Sequence, residues 1–209
     1  MFIVCLCGGS GSGKTTLSRQ IIQMFPKDLV TILPLDSYYK DRSYLTQKEK
    51  EVCNFDHPDS IDYDLLIEHL HQLKMAIPVQ RPVYSYITCS RENQCIVMQP
   101  SEVLIIEGLL TLASEKLRNE ADLKIYIDVS EHIRLERTIK RDIEERGRTR
   151  ESVIERFYKT VQPMYESFVE PYKQIADVVI DGNNLNINSL ATTIVQIIGE
   201  HLYHYPISK

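Results

Sequence analysis

No apolar run in the chain approaches the roughly 20 residues of a membrane-spanning helix, so a bilayer is not its expected solvent. Excess charge is also scarce: 24 basic and 29 acidic side chains in 209 residues leave a formal net charge of −5. Without a broad basic field, binding to a long nucleic-acid backbone is disfavoured, while a small anionic ligand stays open. Paired cysteine motifs are missing too. Cys5, Cys7, Cys53, Cys89 and Cys95 form no CxxC set, and an odd number without a secretory leader predicts a reducing, cytoplasmic setting. The apolar opening MFIVCLC has no basic leader or long h-region, so it reads as a strand and not a signal peptide. On that strand Cys5 and Cys7 share a face as small core hydrophobes, with no second ligand pair to complete a metal site. His69 and His71 diverge on a predicted helix and read as surface residues. Internal repeats, low-complexity tracts and interdomain linkers are absent, which predicts a single globular domain over residues 1–209.

What is present is an alternation. FIVCLC, LVTILPL, EVLIIEG, DLKIYID and ADVVID read as strands, several too continuously apolar to have a wet face. Between them, residues 14–25, 61–76, 113–120, 130–145, 150–173 and 185–202 read as helices. The pattern predicts a three-layer α/β sandwich with a mostly parallel sheet and a ligand site at the carboxyl ends of its strands. Residues 79–98 break the rhythm: VQRPVYSYITCS and NQCIVMQ read as an inserted β-hairpin turning at Arg91 to Asn93. KRDIEERGRTRE reads as helix into corner, with a helical lid over about 141–150.

GGSGSGKTT follows the first strand and opens the first helix, in the pattern GxxxxGK[ST]. Gly8, Gly9, Ser10, Gly11, Ser12 and Gly13 let backbone N–H groups curl around phosphates at the positive end of a helix. Lys14 reaches the β and γ phosphates, Thr15 offers its hydroxyl to Mg²⁺, and Thr16 completes the turn. No NKxD guanine-reading motif follows, which argues against a GTPase.

Two carboxylates and three arginines extend the pattern. Asp36 ends the second strand, where it can deprotonate an incoming hydroxyl or cap a turn. Glu107 ends another buried strand, so Thr15, Glu107 and Asp36 are the candidate Mg²⁺ ligands. Arg141, Arg146 and Arg148 flank an Arg-Gly-Arg corner that can fold over a transferring phosphoryl group, stabilising its charge and excluding water. Together these residues describe phosphoryl transfer to a small acceptor.

GGSGSGKTT, LDSYYKD, NFDHPDSID, PVYSY, IIEG, KRDIEERGR and ADVVI, spread from Ile3 to about Ile197, resemble the uridine and cytidine kinases, which are phosphate-loop nucleoside kinases. The resemblance implies transfer of the γ-phosphoryl group of ATP, or of GTP, to the 5′-hydroxyl of a pyrimidine nucleoside, with Mg²⁺, a closing lid and homo-oligomeric assembly. It implies that Asp36 is the base, that Tyr39 and Phe55 wall the nucleoside pocket, and that Asp56 accepts hydrogen bonds from ribose hydroxyls. Tyr84 and Tyr86 would line the base pocket.

Three positions depart from that family's pattern, all assigned by it to the acceptor: Cys89 for a base-reading histidine, Thr138 for an arginine near the sugar, and Arg156 for a glutamine. Losing a partner for a buried base edge costs on the order of 1 to 3 kcal/mol, enough to alter substrate preference. Two alternatives therefore stay open. One is a kinase of this architecture acting on a modified nucleoside or a sugar phosphate, for which Arg156 and Arg91 are the natural anion partners. The other is a nucleotide-binding regulatory protein without catalysis, against which the retained Asp36 argues.

Overall fold

The computed structural model describes residues 1–51, 53–183 and 186–204. Its centre is a sheet of five parallel strands: β1 (Phe2–Gly8), β2 (Val30–Pro34), β5 (Val103–Glu107), β6 (Leu123–Asp128) and β7 (Val178–Asp181), in the order β2-β5-β1-β6-β7. β1 is buried at all seven positions, because both faces of the sheet are covered. Phe2, Val4 and Leu6 face one core, closed by Leu17 and Ile21 of α1 (Lys14–Gln23) and by Ala191, Ile194 and Ile198 of α8 (Ile187–His204). Ile3, Cys5 and Cys7 face the other, against α3 (Tyr63–Lys74), α4 (Glu115–Glu120) and α7 (Gln162–Phe168). From β1 the chain passes through α1 to β2 on one side, and it later crosses from β5 over β1 to β6 on the other, so the crevice opens at the carboxyl end of β1. That is where GGSGSGKTT lies.

The hairpin is a separate two-stranded antiparallel sheet, β3 (Val79–Ser85) with β4 (Ser90–Met98). Its turn is Tyr86 to Cys89, not Arg91 to Asn93 as the polar residues suggested. Glu92, Asn93 and Gln94 instead occupy an exposed stretch of β4, while Arg91 pairs with Tyr84 and is anchored to the Tyr39 carbonyl and to Asp62. Cys89 consequently has a left-handed backbone, φ 50°. The short helix α2 (Gln47–Glu51) and a 3₁₀ turn over Leu35–Tyr38 were not foreseen.

Further expectations need revision. The helix expected over 150–173 is broken into α6 (Arg150–Arg156), a π-turn (Phe157–Val161), α7 and a 3₁₀ stretch (Glu170–Ile175). Pro163 and Pro171 each lack the N–H that a continuous helix needs, and the π-turn absorbs the first defect. His69 is buried, where its Nδ1 pairs with the Tyr38 hydroxyl at 2.8 Å. The remaining long helix, α5 (Glu131–Arg146), ends at Gly147, whose φ of 64° makes the lid corner a glycine position. Leu185, the first residue of the helix expected over 185–202, lies outside the described residues. No described helix is long and apolar enough to cross a membrane.

Candidate active site

A single cavity of about 760 Å³ runs from the phosphate loop to the hairpin. At one end, Gly11 and Gly13 adopt φ values of 78° and 92°, so α1 can start immediately at Lys14. Gly11 is required twice over, because a Cβ there would collide with the Arg134 carbonyl oxygen and meet the Thr138 hydroxyl at 2.8 Å. Ser10, Gly11, Gly13, Lys14, Thr15 and Thr16 line the cavity, while Gly8, Gly9 and Ser12 form the inner side of the loop. The Lys14 ammonium is buried and donates to the carbonyls of Gly8 (2.8 Å) and Gly9 (3.0 Å), and burial lowers its pKa. Below the loop, Arg134 of α5 is 1% exposed: its Nε donates to the Val129 carbonyl, its Nη2 to Gln162, and its guanidinium stacks 3.8 Å above the Tyr165 ring. A Cβ on Gly9 would meet Arg134 at 2.8 Å.

Beside the loop, the Thr15 hydroxyl donates to Glu107 Oε1 at 3.0 Å. Glu107 is buried, which raises its pKa, opposed by the neighbouring Lys14. β2 and β5 pair in register at Pro34 and Glu107, so Asp36, two residues beyond, also projects from the carboxyl edge of the sheet. The Asp36 charge acts on Lys14 and Glu107 on one side and on Asp56 on the other. These oxygen donors are hard and clustered, and they suit Mg²⁺. No group of three or more His, Cys, Asp or Glu side chains that could hold a metal ion occurs among the described residues, so the protein here offers two carboxylates and a hydroxyl.

The other end is aromatic. Tyr39, Phe55 and Tyr84 form a wall, with Tyr39 4.8 Å from Tyr84 and 5.8 Å from Phe55 between ring centroids. Tyr86 does something the sequence did not suggest: its hydroxyl donates to Asp36 Oδ2 at 2.5 Å while Arg146 lies 4.3 Å over its ring. Asp56 is buried and its Oδ2 faces Arg156 Nη2 at 3.4 Å. Burial raises the Asp56 pKa, and the Arg156 guanidinium works against that rise. Cys89 reaches the cavity from the hairpin turn.

Arg141, Arg146 and Arg148, the arginines expected of a lid, share one anchor. Asp142, 2% exposed, accepts from Arg141 Nε (2.8 Å) at Oδ1 and from Arg148 Nη1 (3.1 Å) at Oδ2, and it forms an ion pair with Arg146 across 3.2 Å at Oδ1. Its backbone carbonyl also accepts from the Arg148 N–H at 3.1 Å. Sequence reading passed over this residue, although an Asp four positions before Arg146 is the signal for an i,i+4 pair. It also passed over Arg137, which lines the cavity and binds the carbonyls of Gly182 and Asn183, and over Lys50.

Two expected roles shift. Thr138 lines the cavity from the side of the phosphate loop, beside Gly11, and its buried hydroxyl has no hydrogen-bond partner among the described residues. Arg91 is not among the cavity-lining residues; Asp62 and the carbonyls of Tyr38 and Tyr39 engage its guanidinium.

Comparison with known proteins identifies the family and the fold. Residues 3–187 match the model of the phosphoribulokinase/uridine kinase family. The chain is 42% identical over 201 residues to a uridine kinase of Streptococcus thermophilus, covering 95% of each chain. It is 44% identical over 200 residues to a uridine kinase of Anoxybacillus flavithermus, again covering 95% of each. In fold it resembles a possible uridine kinase from Bacillus stearothermophilus, with a TM-score of 0.58 and 23% identity over 86% of this chain and 88% of that one. It also resembles the phosphoribulokinase of Rhodobacter spheroides, with a TM-score of 0.64 and 17% identity over 86% of this chain and 69% of that one.

Proposed function

The chain belongs to the phosphoribulokinase/uridine kinase family, and on that premise we propose that it is an ATP-dependent nucleoside kinase acting on the 5′-hydroxyl of uridine or cytidine. The observation that carries this reading is the joining of phosphate loop, Asp36 and aromatic wall in one cavity. The nucleoside oxygen forms a bond to the γ-phosphorus, the bond from that phosphorus to the bridging oxygen breaks, ADP leaves, and the hydroxyl proton passes to Asp36. Lys14 and the loop N–H groups hold the donor phosphates. Arg141, Arg146 and Arg148 meet charge developing on the transferring group. Thr15, Glu107 and Asp36 would hold Mg²⁺, which when bound neutralises charge on the β- and γ-phosphates.

On the acceptor side, Tyr39, Phe55 and Tyr84 stack against the nucleoside, and the Asp56 carboxylate accepts from the ribose diol. Burial raises the Asp56 pKa and the Arg156 guanidinium opposes that rise, a support that a deeply placed acceptor site needs. Cys89 stands at the base end as a weak hydrogen-bonding group. The alternative of a phosphorylated acceptor loses one of its two anion partners, because Arg91 is committed to Asp62. A cytoplasmic homo-oligomer is the assembly that goes with this reading, and light scattering of the purified chain tests it.

The decisive experiment is coupled ADP release across nucleosides and sugar phosphates, repeated with Asp36→Asn. Uridine or cytidine turnover, reduced at least about a hundredfold in the variant while ATP still binds, is the expected result. Turnover on a sugar phosphate alone, or an Asp36→Asn enzyme of full activity, sinks the reading.

A further inference from the structure

Lys50 is an unusual lysine. It sits on the solvent-facing helix α2, where a long cationic side chain normally extends its ammonium into water. Instead it is 8% exposed and turned inward, and its Nζ donates to the Thr88 carbonyl at 3.1 Å. Thr88 belongs to the hairpin turn, one residue before Cys89, and Lys50 lines the same cavity as Cys89 and Ile87. An ammonium has three N–H bonds to give. One goes to Thr88, and no carboxylate among the described residues lies within ion-pair distance of the others. Burying such a cation against a single neutral carbonyl is costly unless a further acceptor arrives.

The cavity defines what that acceptor belongs to. Phosphates go to the loop end, and the aromatic wall of Tyr39, Phe55 and Tyr84 suits a planar ring at the hairpin end, where Lys50 lies. We propose that Lys50 is a specificity-determining residue that donates to the 4-oxo oxygen of the acceptor's ring, so that the site prefers a base with a 4-oxo group over one with a 4-amino group. The chemistry is one-sided. At the 4-position an ammonium, which donates and never accepts, pairs with the uracil oxygen and meets the N–H bonds of the cytosine amino group donor to donor, whereas the 2-oxo group is common to both rings. Cys89, weak in both roles, does not compensate. This inference rests on the nucleoside kinase reading above and names the acceptor within it.

The test measures kcat/KM for uridine and cytidine in the wild type, Lys50→Met and Lys50→Gln, with ADP binding and thermal unfolding as checks of the fold. The wild type is expected to favour uridine by about tenfold or more, the scale of one lost charge-assisted hydrogen bond. Lys50→Met should lower the uridine value by a similar factor, chiefly through KM, and leave cytidine within about threefold. Lys50→Gln, whose carboxamide both donates and accepts, should retain the tether to Thr88 and narrow the uridine to cytidine ratio. A ratio unchanged in both variants, with the two nucleosides falling together, reduces Lys50 to a structural tether and overturns the proposal. A wild type that treats both nucleosides alike or favours cytidine overturns it as well, and leaves the kinase reading standing. Failure of the wild type to phosphorylate either one removes the kinase reading and this inference with it.

Discussion

Replacing Asp142 by alanine probes the lid more sharply than replacing any of its arginines. One carboxylate, 2% exposed, serves Arg141, Arg146 and Arg148. Hydrogen bonds between charged groups contribute about 1.5 to 3 kcal/mol each, so the two from Arg141 and Arg148 give a gross interaction of about 3 to 6 kcal/mol, with the Arg146 ion pair in addition. The guanidinium groups are 17–32% exposed and regain part of that from water once released. Breaking a buried pair typically costs about 3 to 5 kcal/mol, and the partial exposure puts Asp142→Ala near 3 kcal/mol. For a chain of this length that is a fall in Tm of roughly 6 to 12 °C. Arg148→Ala should cost about 1 kcal/mol, because the carboxylate keeps its other two partners. In the double variant Asp142→Ala/Arg148→Ala, repulsion among the released cations is relieved, so the loss should be smaller than the sum of the single losses. Urea and thermal unfolding of the four proteins measure all of this. A loss below about 1 kcal/mol for Asp142→Ala, or equal losses for Asp142→Ala and Arg148→Ala, refutes the picture of a single shared anchor.

Other consequences are open to measurement. Gly11→Ala places a methyl group against the Arg134 carbonyl in a left-handed backbone, and ADP titration should show affinity reduced at least about tenfold. His69 is held below its ordinary pKa by burial, so the unfolded chain binds the extra proton; stability should therefore be complete above about pH 6.5 and decline as the pH drops below it. Unfolding midpoints recorded from pH 5 to 8 read that slope, which His69→Leu should flatten. Thr15→Val removes the hydroxyl that donates to Glu107, and the Mg²⁺ concentration for half-maximal turnover should rise at least about tenfold.

The turn from β1 into α1 was legible in the sequence because its pattern is local. GGSGSGKTT contains the turn, the cation and the helix start within nine consecutive residues, and the apolar runs around it already said parallel sheet. The hairpin was legible as an insertion and illegible in register. Polar Arg91 and Asn93 looked like a turn, but Arg91 is fixed by Tyr39 and Asp62, residues distant in sequence. The same limit hid Asp142 among arginines in a charged run, and Lys50 on a helix of five residues whose inward turn depends on the Thr88 carbonyl. His69 read as exposed because helical spacing shows which residues diverge and not which of them finds a tyrosine. Tyr86 was assigned by aromaticity, while its hydroxyl goes to Asp36.

The two ends of the cavity hang on different frameworks: the phosphate loop, Asp36 and Glu107 on the five-stranded sheet, and Tyr84, Tyr86 and Cys89 on a two-stranded one that shares no ladder with it. Acceptor choice can therefore drift by changes in one short ribbon and in α2, while the machinery that breaks the phosphoanhydride is left intact. An exchange of residues 79–98 together with Lys50 between two relatives would measure how much of the acceptor preference goes with the ribbon and how much stays with Tyr39, Phe55 and Asp56. Ties across the divide run from Arg81 to Ser37, from Arg91 to the Tyr38 and Tyr39 carbonyls and from Tyr86 to Asp36, so a transplanted ribbon must bring a hydroxyl to position 86 or leave Asp36 without that partner.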